Sequence, residues 1–121
     1  MITTTTVPTV TATIYVGLKY RYNGDIASRS AVIAAIKTYV DKVGLCVTVT
    51  DTQFVYSNGG EPGVIVGLIN YPRFPSTPDI IKAHAQAIAG MLLECCRQMK
   101  VTVVMPSETV MVSNETTTRE Q

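Results

Sequence analysis

Apolar positions along the chain change their period several times, and each change marks an element. From Thr11 to Tyr22 they alternate: Ile14, Val16, Leu18, Tyr20 and Tyr22 fall on one side, and Tyr15, Gly17, Lys19 and Arg21 on the other. A period of two predicts a strand with one buried face. Asn23-Gly24-Asp25 is a turn signal. The period then lengthens. Val32, Ile33, Ile36, Tyr39, Val40 and Val43 recur at helical spacing, behind Ser28 as a cap and ahead of Gly44 at the left-handed C-terminal position. Leu45 to Tyr56 returns to alternation and is rich in β-branched residues, which predicts a second strand. Ser57 to Gly63 reads as a turn, and Val64 to Tyr71 as an almost wholly apolar third strand covered on both sides.

Thr77-Pro78-Asp79 opens a second helix with a capping hydroxyl, a proline at the first helical position and an acid near the positive end of the dipole. Ile81, His84, Ala85, Ile88, Met91, Leu92, Cys95 and Met99 form its stripe, so it is expected to run to about Met99. Val101 to Met105 predicts a fourth strand, and Thr109 to Val112 a short edge strand. The resulting fold class is α+β. The order is βαββαβ, ferredoxin-like: an antiparallel sheet with two helices on one face and nothing on the other. Residues 1–121 form a single domain, with 1–10 and 113–121 expected to be flexible.

The segment from Asn70 to Asp79 holds three prolines, Tyr71, Arg73 and Phe74 beside a helix N-terminus. Prolines pre-set the backbone, so the loop is expected to be ordered. Arg73 offers charge and Phe74 a stacking ring, which suits an anionic, ring-bearing ligand. The plainer alternative is that the loop turns a corner and Phe74 staples the helix to the core. Asn70 and Thr52, like Thr50 and Tyr56, are neutral hydrogen-bonding groups of the kind that orient ribose and base edges. Arg21 closes the first strand. In this topology it need not lie beside Arg73 within one subunit.

Composition narrows the function. Hydrophobic residues make up 46% of the chain and charged residues 16%. That is low against the roughly 25% typical of globular chains, and predicts apolar surface buried between subunits. A net charge of +1 offers no broad attraction for DNA, RNA or a membrane surface. No signal peptide or bilayer-length apolar run is seen. Cys46, Cys95 and Cys96 have neither disulfide nor metal spacing and read as small apolar residues in a reducing cytoplasm. No metal or cofactor is expected.

Catalysis finds little support in the sequence. The single histidine, His84, lies in an apolar stripe, where a packed or interface role is expected. No GxSxG, HExxH or phosphate-gripping glycine loop occurs. Asp51 can be read as a ligand contact or, more simply, as a strand-edge acid.

The order Ile14-Tyr15-Val16-Gly17-Leu18, a helix, the Thr48-Val49-Thr50-Asp51 strand, Tyr56 before a glycine turn, and the closing Val101-Thr102-Val103-Val104-Met105 strand resembles the phage Thoeris anti-defence sponge family. The resemblance implies a non-enzymatic binder acting in the host bacterial cytoplasm. It would sequester a cyclic ADP-ribose-type signal, and a cyclic oligonucleotide as a further ligand, as a homo-oligomer with pockets at subunit contacts. It also implies roles for particular residues: Phe74 as a stacking ring, Asn70 as a base or ribose contact, and Arg21, Arg73 and Arg97 as phosphate contacts. Two other classes remain open on the residues alone: a small oligomeric protein-interaction module, and a cofactor-free monooxygenase or isomerase. The expectation taken forward is a binder without catalytic activity.

Overall fold

The structure, a computed structural model, describes residues 1–20 and 25–114. Its elements are β1 (Thr11–Gly17), α1 (Arg29–Val43), β2 (Thr48–Tyr56), β3 (Gly59–Ile69), α2 (Pro78–Cys95), β4 (Lys100–Val104) and β5 (Thr109–Ser113). The sheet order is β2-β3-β1-β4-β5, with every neighbouring pair antiparallel. This is the ferredoxin-like arrangement expected from the order of periods, extended by β5 at the edge.

β1 lies at the centre of the sheet, and its alternation decides which face is buried. Ala12, Ile14, Val16 and Leu18 point to the helices and are buried. Register carries that side across the sheet: Ile14 pairs with Val66 and Val103, and Val66 with Val49. α2 covers this face with Ile81, Ala85, Ile88, Ala89, Leu92 and Leu93, whereas α1 buries only Val32 and Ile36. Each fully buried aliphatic side chain contributes about 1.5–3 kcal/mol, so α2 is the main clamp on the sheet. Both helices begin as their sequences predict. Ser28 Oγ accepts from Ala31 N and Thr77 Oγ1 from Ile80 N, both at 3.3 Å. Gly44, at φ 73°, closes α1.

The boundaries that differ most from expectation are four. β1 stops at Gly17 because its chain changes partner. Tyr20 N donates to the Asp25 carbonyl and Ala27 N to the Leu18 carbonyl, so the alternation continues into a local return instead of the sheet. Tyr22 and the Asn23-Gly24 part of the predicted turn lie outside the described residues, as does the tail 115–121. β2 starts at Thr48 rather than Leu45. The hairpin turn is only Ser57-Asn58, with Tyr56 paired to Gly59 and Asn58 at φ 65°. Gly59 to Gly63, read as turn, are therefore strand. α2 ends at Cys95, not near Met99. There Gln98 N returns to the Leu93 carbonyl (2.8 Å) and Arg97 N to the Glu94 carbonyl (3.2 Å), a Schellman-type closure with Arg97 at φ 54° in the place glycine usually takes.

Residues 1–10 form no helix or strand, but the segment's base is tied down. Asn70 N donates to the Val10 carbonyl, and Asn70 Nδ2 to the Pro8 carbonyl at 2.8 Å. No helix among the described residues is long and apolar enough to cross a membrane.

Candidate functional site

The residues singled out in the sequence separate to the two ends of the sheet. Asn70, Tyr71, Arg73 and Phe74 lie at the end where β3 finishes and α2 begins. Thr52 and Arg97 belong to the other end, where the β2–β3 hairpin meets the exit of α2. Arg21 lies outside the described residues. Seven residues of β1 alone separate the ends by about 20 Å, so one small ligand does not touch both groups within one chain.

At the proline-rich end Asn70 and His84 already have partners, whereas Arg73 is exposed and makes no ion pair among the described residues. Asn70 is 7% exposed. Its Nδ2 holds Pro8, and its Oδ1 accepts from Ser76 N at 2.7 Å, so the amide braces the N-terminal segment against the loop. Tyr71 and Phe74 lean together, ring centroids 5.5 Å apart, with Phe74 45% exposed. A side-chain hydrogen bond between the Tyr71 hydroxyl and Cys46, aided by burial, raises that hydroxyl above its usual pKa. His84 Nδ1 and the Tyr39 hydroxyl are 2.8 Å apart, with the rings edge-on, so the histidine is packed between the helices as its stripe predicts. The depression lined by Tyr71, Phe74 and His84, about 190 Å³, is smaller than the roughly 300 Å³ at which ligand sites begin. A second depression of about 330 Å³, between residues 9–11 and 105–108, has its lysine and glutamate, Lys82 and Glu108, paired with each other. Asp51 is exposed and ion-paired with Arg29, as expected of a strand-edge acid.

The glycine-rich end differs. Its surface is the sheet face that no helix covers. β2 places Thr48, Thr50, Thr52, Phe54 and Tyr56 there, opposite Gly67, Ile65, Gly63, Glu61 and Gly59 of β3. Gly63 has room for no side chain: a Cβ would strike the Phe54 ring and come within 2.6 Å of the Val16 carbonyl. The Phe54 ring therefore lies over Gly63 of β3, and Thr52 is paired with the same glycine. Gly17 is the same case. A Cβ there would collide with the Glu61 carboxylate and fall 3.2 Å from Gln98 Oε1. Gln98 is held by two bonds from Nε2, to the Lys19 carbonyl (2.9 Å) and the Cys96 carbonyl (3.0 Å), which leaves Oε1 facing Gly17. The Arg97 guanidinium stacks over the Tyr20 ring at 4.9 Å. Among the described residues Glu61 makes no ion pair.

Phe54 and Glu61 were missed in the sequence because Gly59 to Gly63 was read as turn. A two-residue turn at Ser57-Asn58 sets the register that puts Phe54 opposite Glu61, and small residues at 17 and 63 then mark the two places where a side chain lies on backbone.

The sequence matches no protein-family profile and no curated protein sequence. Among solved structures the chain is similar to a phage SAM lyase in complex with S-methyl-5'-thioadenosine: TM-score 0.75, 18% identity, 96% of this chain and 98% of that one covered. It is also similar to a phage SAM lyase in the apo state: TM-score 0.70, 20% identity, 88% and 90% covered. The fold is that of phage SAM lyase over nearly its whole length. This corrects the expectation of a chain without catalysis. Both of these similar structures are of SAM lyase, an enzyme, and one of them is seen with S-methyl-5'-thioadenosine. The correction has a physical cause: motif search finds nucleophiles, metal ligands and phosphate loops, none of which a lyase acting on a sulfonium has to possess.

Proposed function

We propose that this chain is an enzyme that cleaves S-adenosylmethionine and releases S-methyl-5'-thioadenosine. The observation that carries the reading is the glycine-rich corner of the open sheet face, on a fold shared end to end with SAM lyase. S-adenosylmethionine brings a sulfonium, an ammonium and an adenosine. The corner offers a carboxylate with no ion pair among the described residues, Glu61, an aromatic face, Phe54, and the hydroxyls of Thr52 and Tyr56. Carboxylates and aromatic faces both attract cations, whereas a phosphate-bearing ligand would call for the opposite sign. Cleavage of the carbon–sulfur bond leaves its electron pair on sulfur and turns the sulfonium into a neutral thioether, while the substrate's own carboxylate bonds to the released carbon, so the four-carbon fragment departs as a lactone and no further reactant is needed. A half-apolar floor that solvates charge poorly favours that step.

A flat face does not enclose a ligand, since sites bury most of their ligand's surface. A second copy of the chain supplies the other wall. Support for this comes from the exposed Tyr15, Ile69, Val104 and Met111 on the same face and from the 16% charged composition. Phe74, Tyr71 and Arg73, at the far end of the sheet, reach a ligand only across a subunit contact, and Asn70 braces the loop that carries them.

The test is incubation with S-adenosylmethionine, followed by mass spectrometry for S-methyl-5'-thioadenosine. Stoichiometric product, lost in Glu61→Ala with the fold intact, supports the reading. Unchanged S-adenosylmethionine overturns it. If a cyclic ADP-ribose isomer instead raises the melting temperature and is recovered intact, the ligand class expected from the sequence replaces it.

A further inference from the structure

The outer edge of β2 leaves a row of main-chain groups unused. β2 ends the sheet, so among the described residues no strand bonds to its other side. Which groups face that side follows from the neighbouring ladder. Leu18 N donates to the Pro62 carbonyl and Asn70 N to the Val10 carbonyl, so even-numbered positions along β3 turn their main-chain groups towards β1 and odd-numbered ones towards β2. The β2–β3 register then has Thr48, Thr50, Thr52, Phe54 and Tyr56 bonding to β3, and the N–H and C=O of Val49, Asp51, Gln53 and Val55 point outward. This edge is regular: its 9 residues pair with β3 without a bulge. It also lacks the proline and lysine with which edges are commonly blunted. Its one charged residue, Asp51, is ion-paired with Arg29, and Val55 is 83% exposed.

We infer that this edge pairs with the same edge of a second copy, antiparallel about a two-fold axis at Thr52. The strand's own sequence selects that register. An axis at Thr52 sets Val49 against Val55 of the second copy and Asp51 against its Gln53. All four face outward, so each couple exchanges both of its main-chain bonds, and the whole strand overlaps. An axis at Asp51 sets two like carboxylates face to face, and one at Gln53 leaves Val49 without a partner in the strand. On the open face the chosen register puts Thr50 beside Phe54, Thr48 beside Tyr56 and Thr52 beside itself, pairs of β-branched and aromatic residues that sheets favour. On the helix side, Val55 of the second copy covers Val49 at the groove of about 410 Å³ between α1 and β2. This contact is distinct from the open-face wall proposed above and stands whether or not the chain is a lyase.

The test is sedimentation of the full chain over a concentration series, with far-ultraviolet circular dichroism as the control of fold. Wild type is expected to form assemblies with an even number of copies. Gln53→Pro removes an outward N–H and none of the bonds to β3. Val55→Glu sets a carboxylate against Val49 and diagonally near Asp51 of the second copy. Each should halve the sedimenting mass and leave the dichroism unchanged. Val55→Glu, at an exposed position, stays informative if Gln53→Pro unfolds the hairpin. Thr52→Cys should cross-link to itself on oxidation, since facing Cα atoms of a non-hydrogen-bonded pair lie about 4.5 Å apart, whereas Thr50→Cys should not. Peptide mass spectrometry separates that link from any through Cys46 or Cys95. A monomer at every concentration, an odd-numbered assembly, an assembly that Val55→Glu leaves whole, or cross-linking at position 50 as strong as at 52 overturns the pairing.

Discussion

The two ends of the sheet use conspicuous residues in opposite ways. The proline-rich end has an arginine, two rings and a buried amide, but its asparagine is consumed by Pro8 and Ser76 and its histidine by Tyr39. The glycine-rich end has fewer notable side chains, yet its Glu61 carboxylate lies against Gly17 with no ion pair among the described residues. Rigid, well-bonded chemistry serves the fold, and under the proposed function the hydrogen-bonding capacity left over is what a ligand would meet. The contrast predicts that substitutions at the first end act on stability and those at the second on ligand.

Asn70→Ala should break that contrast most visibly if it is wrong. It removes two hydrogen bonds from a buried amide and leaves the Pro8 carbonyl and Ser76 N–H without their partner. The expected loss is about 2–4 kcal/mol in denaturant unfolding, with S-methyl-5'-thioadenosine affinity unchanged. Gly17→Ala should do the reverse. Its methyl group displaces the Glu61 carboxylate, so S-adenosylmethionine turnover should fall at least about tenfold, with an unfolding free energy within about 1 kcal/mol of wild type.

A third prediction concerns the cysteines. Burial, with Cys95 beside it, pushes the Cys96 thiol up to about 12. Iodoacetamide at pH 8 should therefore label exposed Cys46 and Cys95 and spare Cys96, as read by peptide mass spectrometry. The folded state holds this proton more tightly than the unfolded chain, where the value is 9.0. Its stabilising contribution is full below about pH 9 and lost as pH rises towards about 12, so the unfolding midpoint should fall across that window. The smallest effect is expected at Lys37→Ala, which removes an exposed i,i+4 pair with Asp41. Thermal unfolding should not resolve it from wild type.

The fold was legible because each element carries a clean period. The caps Ser28, Thr77 and Gly44 stand where their chemistry puts them, and the strand order follows from helical crossovers plus one hairpin. The candidate site was less legible for two reasons. Glycines signal turns far more often than strands, so Gly59-Gly60-Glu61-Pro62-Gly63 hid a glutamate on a sheet face. The end of α2 had no glycine to announce it, because Arg97 takes the left-handed position, so Gln98 read as helix. Neither spacing nor composition reports whether a polar group already has a partner. That is why Asn70, whose amide is already bonded on both sides, was expected to meet a ligand and Glu61 was not.

The sheet order also bears on how the chain comes to fold during synthesis. β1 is made first and occupies the centre, yet its two neighbours are β3 and β4, and the second arrives only when Val104 has been made. The β2–β3 hairpin, closed by two residues, can form early because its contacts are local. β1 must wait with one edge open for most of translation, its Ile14 and Val16 still short of full cover. A chain halted before β4 would therefore expose an apolar strand with a free edge, which is the form most prone to pair with another nascent copy.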